Sequence, residues 1–166
     1  MTDAIVWSGL EHLIPNLLPA CGDSAYDPSV RLQMAYAALC SGIGLANAGL
    51  GIVHGLAGPI GGKHPIPHGV ICGTLIASAQ RQNCDALKQR APEHPTIHRM
   101  ARVGRMMPGG FDLKDDYAAV DHFTEVLENW VEMLGNPRLG CFDIKDSDLD
   151  LIVQESSNRH NPIELT

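Results

Sequence analysis

Apolar side chains along this chain recur every three or four positions, and no segment alternates apolar and polar residues with the period of a strand over a useful length. The clearest amphipathic helix is predicted over residues 115–134, and Gly135 closes it. An earlier helix is predicted over residues 3–18; Pro15 should kink or end it, and residues 19–26 should form a loop. The spacing therefore predicts an all-α fold.

Residues with strong positional preferences mark further helix boundaries. Asp27 followed by Pro28 is typical of an N-cap with proline at the first helical position, and Pro95 opens a helix in the same way. Residues 147–150 resemble a capping box that starts the last helix, and residues 158–166 should be irregular. Together these segments predict a helical bundle of about six to eight helices.

One long run carries no Asp, Glu, Lys or Arg: residues 34–62. By length it allows a membrane span. Asn47, His54 and the many glycines dilute its apolar character, so a central pair of helices buried on all sides is the favoured interpretation. A break near residues 47–50 should separate a helix of small residues from a shorter helix that carries His54.

Length and charge narrow the classes of function. The 166 residues suffice for one domain with a single core, which we predict over residues 1–166. With 12 basic and 19 acidic residues the formal net charge is −7, so a nucleic-acid partner is not expected. The five cysteines are widely spaced and include no C-x-x-C pair, which favours a reducing compartment, the cytoplasm. The first residues lack the basic region of a signal peptide, and no membrane partner is expected.

Two histidines flank a segment rich in glycine and proline. In one continuous helix the imidazoles of His54 and His68 would lie about 21 Å apart, at about 1.5 Å per residue. The prolines and glycines of residues 59–67 should break that helix and let both rings converge on one metal ion. The alternative is a pair of buried or turn-stabilising histidines. Cys72, four residues after His68, is either a further ligand or, more commonly, a small buried hydrophobe.

The glycine-rich segment also resembles a known family signature. The residues that carry the resemblance are, in order, Asn47-Ala48-Gly49-Leu50-Gly51, Val53-His54-Gly55, Gly61-Gly62 and Pro67-His68-Gly69. This pattern is similar to that of the iron-dependent (group III) alcohol dehydrogenases, whose architecture resembles dehydroquinate synthase. Those enzymes join an N-terminal nucleotide-binding α/β domain to a C-terminal helical domain that supplies metal ligands. The resemblance covers most of this chain but only the helical half of the family.

The resemblance implies an oxidoreductase that transfers hydride between a small-molecule alcohol and NAD(P). His54 and His68 would be two ligands of Fe²⁺ (or Zn²⁺). Whether this chain binds the metal is a separate question that the resemblance leaves open. In the family an Asp and a His just upstream of the first helix complete the site. This sequence begins at that helix.

Several family features are missing from the 166 residues. Gly58 stands where the family has a second histidine four residues after the first. Gly49-x-Gly51 is followed by His54 where a dinucleotide fingerprint needs its third glycine, and Gly62-Lys63 belongs to no Walker A motif. The chain alone is therefore expected to be inactive and to meet NAD(P) only through the missing domain, with a homo-oligomer or a separate N-terminal partner possible. The alternative is a non-catalytic helical module for self-association or partner binding.

Overall fold

The computed structural model describes residues 1–165, which form seven α-helices and one short 3₁₀-helix and contain no strand. The all-α prediction of about six to eight helices is confirmed. The helices are α1 (Thr2–Cys21), α2 (Pro28–Ala48), α3 (Ile52–Lys63), α4 (His68–Arg90), α5 (Pro95–Met106), α6 (Asp116–Met133) and α7 (Asp146–Glu155), with the 3₁₀-helix at Leu139–Phe142. Contacts group the chain into two compact units, residues 1–49 and residues 50–166.

The first unit is an antiparallel pair of helices. Near the start of α1, Val6 lies where a Cβ on Gly44 would come within 2.9 Å of its side chain, so the end of α2 passes close by. Further along α1, the ring of His12 shares a hydrogen bond with Gln33 in the first half of α2. Gly44, which has no side chain, allows the two backbones to approach at the first of these contacts.

Two prolines lie inside α1, where the sequence predicted an end and a loop. The helix runs past Pro15 and Pro19 to Cys21, and only residues 22–27 connect it to α2. Both prolines are exposed, and so is Glu11, whose carbonyl loses its helical partner at Pro15. Water can satisfy such a carbonyl, and packing on α2 holds the rest of the helix, so the local cost of proline does not end it.

The helix α2 is buried along one face and not on all sides, contrary to the prediction for this run. Its buried residues are Ala37, Cys40 and Gly44. Leu32 and Leu39 remain 66% and 62% exposed. Within residues 1–165 no single helix has the length and apolarity needed to cross a membrane; α2 and α3 meet both conditions only when their residues are counted together.

The core of the second unit joins α3, α4 and α7. It is a cluster of buried aliphatic side chains, namely Ala57, Ile60, Ile66, Ile71 and Ile152. Leu139 and Phe142 of the 3₁₀-helix pack against it. Because Ile66 comes from the turn between α3 and α4, the cluster fixes the turn as well as the two helices. It therefore fixes the backbone positions of His54 in α3 and His68 in α4.

The helices α5 and α6 pack at unusually short range. A Cβ at Gly104 of α5 would lie 1.9 Å from the carbonyl oxygen of Ala119 in α6, so this crossing requires glycine. On the other side of α6, the guanidinium of Arg81 in α4 forms two hydrogen bonds, of 2.9 and 2.8 Å, with Glu128. This arrangement places α6 between α4 and α5 in the second unit.

Two predicted helix starts agree with the structure, namely Asp27-Pro28 before α2 and Pro95 at the start of α5, and a third is displaced. Asp27 accepts hydrogen bonds of 2.7 Å from the hydroxyl and from the N–H of Ser29, and these two bonds, the hydroxyl first, lower the pKa of the Asp27 carboxyl. The predicted capping box at residues 147–150 is wrong in position. The N-cap is Lys145, whose N–H donates to Asp148 at 2.9 Å, so α7 starts earlier. The predicted irregular tail is confirmed for residues 158–165; Thr166 lies outside the described residues.

Candidate metal centre

Two helix starts bring the predicted site residues together. His54 lies in the first turn of α3, and His68 is the first residue of α4. The sequence predicted a long break across residues 59–67, but α3 continues through Pro59 to Lys63, and only residues 64–67 are non-helical. Ala57 and Ile60, on either side of Pro59, are 1% and 2% exposed, so core packing keeps that part helical. Four residues are enough to reverse the chain.

The imidazoles of His54 and His68 face each other across this turn. Their ring centroids are 5.2 Å apart with an interplanar angle of 49°. Cys72, one turn further along α4, places its Sγ 3.4 Å from Nε2 of His68. One ligand atom from each of the three side chains lies within 4.8 Å of the others. His68 is exposed, whereas His54 and Cys72 are partly buried.

The surroundings of His54 favour its neutral form. Partial burial, and then the positive charge of a protonated His68, lower the pKa of His54 below its ordinary range. A neutral imidazole has a free lone pair, which is the form that binds metal. Burial raises the pKa of the Cys72 thiol, so without a metal this sulfur stays protonated.

These donors fit a divalent transition metal. Imidazole nitrogen suits both iron and zinc. His54 and His68 lie in the first turns of α3 and α4, and the apolar core fixes the positions of these helices. Small rotations of side chains that are not fully buried bring donor atoms within 4.8 Å to the spacing of a shared ion. Two histidines alone are fewer than the three or four protein ligands that such sites normally have.

A tail residue holds the start of α3. Oδ1 of Asn161 accepts hydrogen bonds from the N–H of Ile52 and from the side chain of Asn83, both at 3.3 Å. In return, Nδ2 of Asn161 donates to Oδ1 of Asn83 at 2.6 Å and to the carbonyl of Ile163 at 2.7 Å. Asn83 is 1% exposed, so this amide pair is the buried polar link between the tail and α4. It fixes the backbone two residues before His54.

Comparison with known proteins identifies the family. The model of the Fe-containing alcohol dehydrogenase family, C-terminal part, matches residues 1–166. The chain belongs to this family. One relative of this iron-containing alcohol dehydrogenase family member is alcohol dehydrogenase 4 of Schizosaccharomyces pombe, which is 30% identical over 171 residues. The match covers all of this chain and 37% of the relative. Lactaldehyde reductase of Escherichia coli K12 is 35% identical over 51% of this chain and 22% of its own length.

Solved structures share the fold of this family member. A crystal structure of 1,3-propanediol oxidoreductase superimposes with a TM-score of 0.84 at 24% identity, covering 99% of this chain and 42% of that chain. An alcohol dehydrogenase from Oenococcus oeni gives 0.82 at 25% identity, with the same coverage. The chain thus spans well under half the length of these relatives, and it corresponds to their C-terminal helical part.

Beside His54 of this family member lies an open cleft of about 480 Å³. Its walls include His54, Cys72, Ile76, Asn83 and His160. His160, Asn161 and Pro162 belong to the segment that the sequence predicted only to be irregular. The link between Asn161 and Ile52 spans 109 positions, and no local pattern predicts such a contact.

Proposed function

We propose that these 166 residues are the metal-binding helical part of an iron-type alcohol dehydrogenase-like oxidoreductase, in which His54 and His68 hold a divalent ion. The supporting observation is the 5.2 Å approach of the two rings, in a chain that the family model matches from end to end. Fe²⁺ is the ion that the family favours, and Zn²⁺ is the alternative that the same donors accept.

The chain's own residues would bind and orient. His54, kept neutral by its surroundings, and His68 would hold the ion, and the Asn83–Asn161 pair would hold the start of α3. When bound, such an ion supplies Lewis-acid polarisation of an alcohol or carbonyl oxygen. The cleft walls would position a small-molecule alcohol, the substrate class we infer from relatives named lactaldehyde reductase and 1,3-propanediol dehydrogenase.

Hydride transfer also requires NAD(P), and residues 1–166 contain neither a dinucleotide fingerprint nor a Walker A motif. We propose that an N-terminal nucleotide-binding domain supplies this cofactor, on the same polypeptide or on a separate one. The 166-residue chain, loaded with Fe²⁺ or Zn²⁺, should not reduce NAD⁺ or NADP⁺ with ethanol, 1,2-propanediol or 1,3-propanediol. The NAD(P)H absorbance assay checks this; turnover that follows protein concentration would contradict it. A full-length relative assayed in parallel is the positive control.

A single-domain organisation over residues 1–166 is also proposed, because the family model runs through both contact units without interruption. Thermal unfolding followed by circular dichroism and by calorimetry should then show one cooperative transition. Two separate transitions would show that the units fold independently. We further propose a reducing, cytoplasmic setting, since all five cysteines are free; a disulfide in the protein purified from its natural compartment would contradict that.

The alternative, a non-catalytic helical module, is not favoured. The named relatives at this level of similarity are alcohol dehydrogenases and related oxidoreductases. In the first unit its motivation is a row of exposed apolar side chains on one face of α2, namely Leu32, Tyr36 and Leu39. Light scattering distinguishes it cheaply: a homo-oligomer of the 166 residues that forms without metal would revive this alternative.

A further inference from the structure

The thiol of Cys72 lies on the same side of α4 as the imidazole of His68. The two residues are four positions apart, so their side chains share one helix face. The Sγ of Cys72 is 3.4 Å from Nε2 of His68, and both lie within 4.8 Å of a ring nitrogen of His54. Three donors of two chemical types, from two helices, therefore converge at one point.

The spacing matches that of a shared ion. In a tetrahedral zinc site with Zn–N bonds of about 2.0–2.1 Å and a Zn–S bond of about 2.3 Å, the nitrogen and sulfur atoms lie about 3.5 Å apart. The observed distance of 3.4 Å between Sγ of Cys72 and Nε2 of His68 is within about 0.1 Å of this value. A ring nitrogen of His54 lies within 4.8 Å of both atoms, and rotation of this partly buried side chain would bring it closer to them.

The other cysteines show what a merely structural thiol looks like in this chain. Cys40 and Cys84 are buried at 3% and 2% exposure, in the manner of small hydrophobes. Cys21 and Cys141 are exposed and free. Cys72 differs from both groups, because it is partly buried, lines the cleft and contacts a histidine.

We propose that Cys72 is the third ligand of the metal centre, which makes it a His54–His68–Cys72 site selective for Zn²⁺ over Fe²⁺. On binding, a metal–sulfur bond forms and the thiol proton leaves to solvent. Thiolate is a softer donor than imidazole or carboxylate, and it shifts preference from iron towards zinc. The proposal rests on the proposed function, namely that His54 and His68 hold an ion, and it deepens it by naming a ligand and a metal. Two of the three proposed ligands, His54 and Cys72, line the open cleft.

Cobalt is a spectroscopic substitute for zinc that reports on sulfur directly. The 166-residue chain with Cys21→Ser and Cys141→Ser, which lacks the exposed thiols, is titrated with Co²⁺ and compared with the same chain carrying Cys72→Ser. The first should bind one Co²⁺ per chain and show a thiolate-to-cobalt charge-transfer band in the near ultraviolet. The Cys72→Ser variant should lose that band and bind Co²⁺ at least about tenfold more weakly, because loss of even an outer partner costs about 10–100-fold.

Competition between metals tests selectivity. Under anaerobic conditions the ratio of Zn²⁺ to Fe²⁺ affinity should fall by about tenfold or more in Cys72→Ser, because the remaining nitrogen donors discriminate less. An unchanged ratio would overturn the selectivity.

Failure of this inference and failure of the proposed function give different results. Stoichiometric Co²⁺ without the charge-transfer band, bound equally by Cys72→Ser, would overturn the role of Cys72 and leave the two histidines as ligands. A band that persists in Cys72→Ser would also overturn it, because another thiol would be the source. No Co²⁺ binding by either chain would overturn both the Cys72 proposal and the proposed function.

Discussion

Replacing both His54 and His68 by alanine should abolish stoichiometric binding of Fe²⁺ and of Zn²⁺ to this chain. The two imidazoles lie 5.2 Å apart and supply both nitrogen donors of the candidate centre, so the double variant retains at most the thiol of Cys72. One thiol alone does not make a specific site, since metal sites in proteins normally need three or four ligands. Elemental analysis of the desalted protein, after exposure to each metal separately, measures the loss.

The matched control is a second pair of histidines. His94 and His98 stand four residues apart, but Nδ1 of His94 accepts from the N–H of Thr96 and His98 pairs with Asp116 at 3.1 Å. The variant His94→Ala/His98→Ala should keep the same metal content as the unaltered chain. Equal metal in the unaltered chain and in the His54→Ala/His68→Ala variant, with equal helical content, would show that metal binds elsewhere.

Replacing Gly55 by alanine should destabilise the second unit by about 3 kcal/mol or more, at the upper end of the usual cost of overpacking. A Cβ at this position would lie 1.8 Å from the carbonyl oxygen of Ser157 and 2.8 Å from its carbon. Both atoms are backbone, so no side-chain rotation relieves the clash, and either α3 or the tail must move. Urea denaturation measures the loss of free energy of unfolding. Metal affinity should fall as well, because residue 55 directly follows His54.

Gly58, in the same helix, provides the comparison. A Cβ there meets no atom within 4 Å, and the residue is exposed. Alanine at this position should stabilise by about 0.5–1 kcal/mol, because alanine loses less conformational entropy than glycine in a helix. Similar effects of Gly55→Ala and Gly58→Ala would contradict the close approach of the tail to α3.

Local signals were sufficient for the starts of α2, α5 and α6 and for the class of fold. Asp27, His94 and Asp115 each accept a hydrogen bond from a backbone N–H in the first turn, and each precedes a predicted helix. Capping depends on a few neighbouring residues, so it can be predicted from the sequence. Pro15 and Pro59 misled the prediction because packing on other helices, which local sequence does not reveal, keeps both segments helical.

The candidate site was predictable in its histidines but not in its surroundings. A shared metal ion at His54 and His68 required a break in the helix, and the family signature predicted that the two residues bind metal. The contribution of Cys72 depends on side-chain direction and partial burial, which spacing does not determine. The tail contact of Asn161 depends on long-range packing, so only the structure shows that it fixes the start of α3.

The most direct measurement of the central claim is a crystal structure of this chain grown with Zn²⁺ or Fe²⁺, with anomalous diffraction recorded at the absorption edge of the metal. The account predicts one strong anomalous peak between α3 and α4, about 2.0–2.1 Å from a nitrogen of His54 and of His68. A fully ordered His54–His68 pair with no peak between the rings, at saturating metal, would contradict it. A peak at any other cluster would contradict it equally.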